Sequence, residues 1–147
     1  MLNERKTLTM EIRNAENLHG HLGPFLVIGV KIARLAKKHL KLNSVKQKDM
    51  QITAMLPLLI PFSCIIDGIQ ATTQCTVGNR KLKIKNSKET VKVNFRLKNP
   101  NRTLKIHVNP KVLETLKDQL SKGASNEELA WKIAFMPESQ LLRIGNR

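Results

Sequence analysis

The segment "KLKIKNSKETVKVNFRLKNPNRTLKIHV", residues 81–108, decides the fold class, because apolar and polar side chains alternate along most of its length. A period of two predicts half-buried β-strands rather than helices. The connectors "NSKET" and "NPNR" are short enough for hairpins, so the segment predicts a three-stranded antiparallel meander. One face is apolar, and the other is polar and mostly basic, with Lys81, Lys83, Lys85, Lys92, Asn94, Arg96, Lys98, Lys105 and His107.

Helical periodicity flanks this segment on both sides. Pro24 suits the first position of a helix, and "SNEE" forms a capping box that begins at Ser125. The sequence shows no repeat and no linker-like stretch, so it predicts one α+β domain over residues 1–147, with an antiparallel sheet packed against helices. Helices are predicted at 6–18, 24–40, 64–75, 110–122 and from 126 onward, with a first strand at 50–56 and a last one in "SQLLRI".

Composition indicates a globular protein of 147 residues, of which 41% are hydrophobic. The first residues lack the apolar stretch of a signal peptide, and no run is long enough to cross a membrane. We therefore expect a cytoplasmic protein. Its two cysteines do not make a disulfide framework and are expected to be free thiols or ligands.

The net charge of +15 is concentrated in the middle of the chain. Residues 31–105 hold seventeen basic and three acidic residues. One interpretation is a non-enzymatic nucleic-acid or polyanion binder that uses Lys31, Arg34, Lys38 and the basic face of the sheet. The face has no aromatic side chain for base stacking, so such binding would contact only the backbone. The alternative is a surface that serves solubility or a particular habitat.

The stretch "HGHLGPF", residues 19–25, places two histidines just before a helix. In an extended segment, His19 and His21 point to the same side, where both can face one ion. The alternative interpretation is a loop held by hydrogen bonds. The start of a helix also attracts anions through its free N–H groups.

Cys64 and Asp67 lie three residues apart and share a face of the helix predicted there. A cysteine at a helix N-terminus is expected to have a lowered pKa, which favours the thiolate as ligand or nucleophile. The alternative is a small buried hydrophobic residue. Cys75 lies about three turns further on, so if one helix joins the two thiols they cannot bind a single ion.

Both stretches resemble the FmdE family, which takes its name from formylmethanofuran dehydrogenase. "HGHLGPFLVIGVKIARLA" is similar to its opening motif H-G-H-x-C-P, and "CIIDGIQATTQCTVG" to its second motif C-x-x-D-[AG]-[IL]-Q followed by [GQ]-C-T-x-G. "VKVNFRLKNPNRTLKIHV" and "FMPESQLLRI" resemble its paired strands and its ending. The matching positions are His19, Gly20, His21, Pro24, Cys64, Asp67, Gln70, Cys75 and Thr76.

The resemblance implies an archaeal-type α+β homodimer with a metal or small-molecule site where the two motifs meet. A divalent ion such as zinc is the expected cofactor, whereas no pterin or iron–sulfur cluster is expected. No substrate or reaction is implied, and whether the protein is an enzyme stays open. The site residues that we predict are His19, His21 and Cys64 as metal ligands, Cys64, Asp67 and His21 as catalytic groups, and Gly23, Gln70, Cys75 and Thr76 as cofactor-binding positions.

Gly23 departs from the family pattern, which usually has cysteine before the proline. Glycine cannot ligate a metal, so the site would lack one thiolate. A glycine there also lets a backbone N–H approach an anionic or carbonyl ligand. A third interpretation is a degenerate relative that keeps only a role in assembly. The zinc-ribbon segment of some longer relatives is not found in these 147 residues.

Overall fold

A computed structural model describes residues 2–42, 49–98 and 101–145. Within these residues the elements follow the predicted order closely. They are α1 (Leu2–His19), α2 (Pro24–His39), β1 (Met50–Leu56), α3 (Cys64–Thr73), β2 (Leu82–Asn86), β3 (Lys92–Leu97), β4 (Arg102–Val108), α4 (Pro110–Ser121), α5 (Asn126–Ala134), α6 (Glu138–Leu141) and β5 (Leu142–Gly145).

The strands form one five-stranded sheet in the order β2-β1-β3-β4-β5. β1 and β2 are parallel, and the other three pairs are antiparallel. The α+β class and the mostly antiparallel sheet are therefore confirmed. Helix α3 supplies the long connection that parallel neighbours such as β1 and β2 require.

The predicted three-stranded meander is wrong in one respect, because β1 lies between β2 and β3. "NSKET" therefore does not close a hairpin, whereas β3 and β4 do pair as predicted. Residues 99–100 of their connector "NPNR" lie outside the described residues. Alternation fixes which face of a strand is buried, but it does not fix which strand is its neighbour.

Helix α2 is the central helix of the domain, since every residue from Pro24 to Ala33 is buried. It packs against α1, α3 and α5. At the crossing of α2 with α3, a Cβ on Gly29 would lie 2.1 Å from the carbonyl oxygen of Ile65. A Cβ on Gly68 would lie 2.2 Å from the carbonyl oxygen of Leu26. The two glycines thus let the backbones touch.

Two basic residues of α2 do not face solvent as the polyanion interpretation assumed. Lys31 is only 6% exposed, and its Nζ donates to the carbonyl oxygens of Ile133, Ala134 and Met136 at the end of α5. Burial lowers the pKa of Lys31, and the nearby carboxylate of Glu138 opposes this shift. An ammonium group in this position satisfies carbonyls that have no partner within the helix.

Arg34 forms an ion pair with Glu11 of α1, so its guanidinium is also engaged within the fold. Lys38 is exposed. None of the helices in residues 2–42, 49–98 and 101–145 is both long enough and apolar enough to cross a bilayer.

Candidate metal centre

His19 and His21 approach each other where α1 ends. His19 is the last residue of α1, and Gly20 follows with φ +100, a left-handed conformation that favours glycine. The chain is therefore not extended here as predicted, yet the turn still places the two imidazole rings 4.5 Å apart, centroid to centroid. His21 is exposed, whereas the side chain of His19 keeps only 14% of its exposure.

Cys64 completes a group of three donors. It is the first residue of α3 and is half-buried. One ligand atom from each of His19, His21 and Cys64 lies within 4.8 Å of the other two. Ligands of one zinc ion lie roughly 3.3–3.7 Å apart, because Zn–N is about 2.0 Å and Zn–S about 2.3 Å. Exposed His21 and half-buried Cys64 are the side chains whose rotation would bring the donors to that spacing.

Asp67 holds the ring of His19 from behind. Its Oδ2 lies 2.7 Å from Nδ1 of His19. An ionised carboxylate can only accept, so Nδ1 carries the proton, and in the neutral imidazole Nε2 then keeps its lone pair. That Nε2 atom is buried and has no hydrogen-bond partner among the described residues. A buried imidazole nitrogen left free while a carboxylate orients the ring is the arrangement found at metal-ligating histidines.

Gln70 extends this chain of hydrogen bonds away from the donors. Its Nε2 donates to Oδ1 of Asp67 over 3.0 Å, and its Oε1 accepts from the backbone N–H of Val77 over 3.1 Å. Gln70 therefore orients Asp67 and does not line the pocket described below. This contact was not predicted, although the spacing of three residues between Asp67 and Gln70 on one helix is a signal that could have indicated it.

The pKa of Cys64 is raised, which contradicts the lowered pKa predicted for a helix N-terminus. Burial is the larger cause, and the negative charge of Asp67 adds to it. The first N–H groups of α3 already donate to carbonyl oxygens of the preceding turn, including Cys64 N–H to Pro61. The backbone N–H of Cys64 still lowers the pKa by hydrogen bonding to the sulfur, but burial and Asp67 outweigh it. A cation bound at the sulfur would oppose both effects.

Cys75 and Thr76 lie apart from the three donors. Helix α3 ends at Thr73, and Gln74 caps it with φ 62. Cys75 is buried in the core, with Sγ 3.7 Å from the carbonyl oxygen of Met50. Thr76 exchanges two hydrogen bonds with Asn79 in a turn. The structure thus gives both residues contacts of the fold and does not bring them to the pocket.

A pocket of about 410 Å³ opens beside the three donors. Gly23 and Pro24 form one side, Ile60 and Pro61 another, and the α4–α5 loop a third. Gly23 precedes α2 with φ −151 and ψ 167, which any residue can adopt. A Cβ at this position would lie 3.1 Å from Oδ1 of Asn126. Asn126 was not predicted, because no motif in the C-terminal half links it to the histidines.

The fold and the pocket define a small α+β domain with a His–His–Cys group that suits a metal ion. Residues 18–143 match the family FmdE, described as "Molybdenum formylmethanofuran dehydrogenase operon", and the chain belongs to this family. The family membership that the two motifs indicated is therefore confirmed.

A curated relative adds a second comparison. A probable S-adenosyl-L-methionine-binding protein of Archaeoglobus fulgidus is 32% identical over 82 residues. These residues make up 54% of this chain and 22% of the relative. The chain thus spans about a fifth of the length of that protein.

Proposed function

We propose that the protein binds one zinc ion through Nε2 of His19, a ring nitrogen of His21 and Sγ of Cys64. The observation that carries this proposal is that one donor atom from each of His19, His21 and Cys64 lies within 4.8 Å of the other two. The buried Nε2 of His19 has no hydrogen-bond partner among the described residues, which supports it as the ligating atom. The hydrogen bond to Asp67 fixes the tautomer that leaves Nε2 free to ligate. Imidazole nitrogen and thiolate sulfur are donors that zinc prefers.

Three protein ligands are the set found in catalytic zinc sites, which keep a fourth position for water or a substrate. When bound, the ion would supply Lewis acidity to an oxygen in that position. Asp67 acts on His19 and not on the ligand, since it holds the Nδ1 proton and is itself held by Gln70. We therefore assign Asp67 a positioning role and leave the reaction unassigned.

The pocket supports a small molecule as the ligand of this site. Its volume of about 410 Å³ is within the range of small-molecule pockets. The side formed by Gly23 is open to a ligand because glycine has no side chain. The side chain of Asn126 is the nearest neighbour of the position that a Cβ on Gly23 would occupy. S-adenosyl-L-methionine, which the relative's name mentions, is one candidate for a binding screen with the zinc-loaded protein.

The metal proposal is tested by equilibrium dialysis of protein without a histidine tag against zinc. The variants are Cys64→Ser and His21→Ala. The matched controls are Cys75→Ser, at the buried thiol away from the pocket, and His39→Ala, at an exposed histidine on α2. We expect the site variants to lose at least about 100-fold in affinity, since even outer-shell partners cost 10–100-fold. Equal losses in the controls, or less than about a tenth of an equivalent bound by the wild type, would reject the proposal.

We also propose the homodimer that the family resemblance implies. Three consecutive apolar side chains beside the pocket are exposed, namely Leu58 (47%), Leu59 (68%) and Ile60 (87%). A second subunit that covers them would remove this apolar patch from water. Sedimentation equilibrium should show a dimer for the wild type and a shift to monomer for Leu59→Ser with Ile60→Ser. A monomeric wild type would contradict the proposal.

A further inference from the structure

The outer face of the sheet carries positive charge without any negative charge. None of the eleven acidic residues of the chain lies within the five strands. The strand register aligns side chains from separate segments on this face. Lys83 lies beside Thr53, Thr53 beside Asn94, and Asn94 beside Lys105. We call the outward basic set the cationic sheet face, which consists of Lys83, Lys85, Lys92, Arg96, Lys98, Lys105 and Arg143.

These cations are not engaged within the described part of the fold. None of the seven forms an ion pair there, in contrast to Arg34 of α2. Lys83, Arg96 and Lys98 are exposed and line a shallow depression of about 710 Å³ at the centre of the sheet. Their charges therefore remain available to a partner.

The spacing of the face is set by the sheet. Successive outward residues on one strand lie about 6.6 Å apart, and neighbouring strands lie about 4.8 Å apart. Rigid strands thus present a regular grid of ammonium and guanidinium groups. A grid of this kind matches a partner whose negative charges are also closely and regularly spaced, which is a property of the phosphate backbone of nucleic acids.

The other side chains of the face narrow the choice of partner. No Phe, Tyr or Trp points outward from the described strands, so bases of a single strand find no stacking platform. Met55 is the one large apolar side chain among the outward positions of β1. A single side chain of this kind offers too little apolar surface to form the hot spot of a protein interface or to insert into a membrane. A second copy docked through this face would bring like charges together.

We propose that the cationic sheet face binds the backbone of duplex nucleic acid without reading its sequence. This function does not depend on the metal centre, because the depression on the sheet and the zinc pocket share no lining residue. If about four phosphates are neutralised, the affinity should fall roughly 150-fold between 50 and 200 mM salt.

The test is fluorescence anisotropy of labelled DNA duplexes of two unrelated sequences, at both salt concentrations, with the single strands and phosphatidylserine vesicles as unlabelled competitors. The variant combines Lys83→Glu, Arg96→Glu and Lys98→Glu. Its matched control combines Lys6→Glu, Lys111→Glu and Lys132→Glu, which are exposed helical positions with the same change in net charge. Circular dichroism melting of all three proteins shows that each is folded at the assay temperature.

We expect equal affinity for both duplexes and the steep salt dependence given above. The sheet variant should lose at least about 30-fold in affinity at low salt, and the helical control less than about threefold. Equal losses in both variants would show that net charge alone attracts DNA and would overturn the proposal. A flat salt response, tighter binding to the single strand, or tighter binding to anionic phosphatidylserine vesicles than to duplex would overturn it too.

Discussion

Replacing Gly68 with alanine should separate α3 from α2 and destabilise the domain. The added Cβ would lie 2.2 Å from the carbonyl oxygen of Leu26, 2.8 Å from the amide nitrogen of Val30 and 2.9 Å from Cα of Gly29. All three atoms are backbone, so no side chain can rotate away. Contact at about 3.0 Å, the lower limit for real Cβ atoms, already requires a displacement of about 0.8 Å.

The magnitude follows from two opposing effects. Overpacking a tight core typically costs about 1–3 kcal/mol, and because only backbone atoms can move here we expect a cost of about 3–4 kcal/mol. Alanine regains up to about 1 kcal/mol over glycine through its helix propensity. We expect a net loss of about 2–3 kcal/mol in the free energy of unfolding, which corresponds to a fall in Tm of about 4–12 °C for a domain of this size.

Thermal unfolding by circular dichroism measures this loss. Gly78→Ala is the control, because its Cβ would meet only Oγ1 of Thr76 at an ordinary 3.7 Å. Helix α3 also carries Cys64 and Asp67, so zinc affinity should fall together with Tm in Gly68→Ala. If Gly68→Ala and Gly78→Ala melt within about 2 °C of each other, the close contact between the helices does not exist as described.

Three further substitutions test other parts of the structure. Lys31→Met should cost about 2 kcal/mol in urea unfolding, because three carbonyl oxygens at the end of α5 lose a charged donor. The exposed control Lys38→Met should change stability by less than about 0.5 kcal/mol, and equal effects would show that Lys31 does not cap α5. Asp67→Asn should weaken zinc binding about 10–100-fold in a chelator competition, because the carboxylate that orients His19 is lost. The exposed Asp118→Asn is the control, and an unchanged zinc affinity in Asp67→Asn would contradict the positioning role of Asp67. Gly23→Cys should raise zinc affinity at least about tenfold in the same competition, because it adds a fourth ligand. The backbone at position 23 accepts any residue, and the side chain of Asn126 can rotate aside. No gain in affinity would show that position 23 does not face the ion.

Much of the fold follows from local patterns in the sequence. The alternation in residues 81–108 correctly predicted which side chains of β3 and β4 are buried, because one buried face imposes a period of two. In β2, Leu82 is buried as predicted and Ile84 is partly buried. The alternation did not predict the insertion of β1 between β2 and β3. Neighbours in a sheet are chosen by long-range packing, and the five-residue connector "NSKET" is compatible with a hairpin that does not form.

The three donors were predictable because two motifs, 45 residues apart, each contribute to them. The roles of the residues around the three donors were less predictable from the sequence. Lys31 lies on a helix at a spacing typical of a solvated face, yet tertiary packing with α5 buries it. Gln70 belongs to the same motif as Cys64 but contacts Asp67 instead of the pocket, since it projects from α3 about one turn beyond Asp67. Asn126 enters the pocket from a distant segment, which no local signal reports.

The central claim is that His19, His21 and Cys64 bind one metal ion. Anomalous diffraction at the zinc edge, from crystals of tag-free protein grown with zinc, tests it most directly. We expect one strong peak about 2.0–2.3 Å from Nε2 of His19, a ring nitrogen of His21 and Sγ of Cys64. A pocket without an anomalous peak, or a zinc ion bound elsewhere while these three side chains ligate nothing, would contradict the claim.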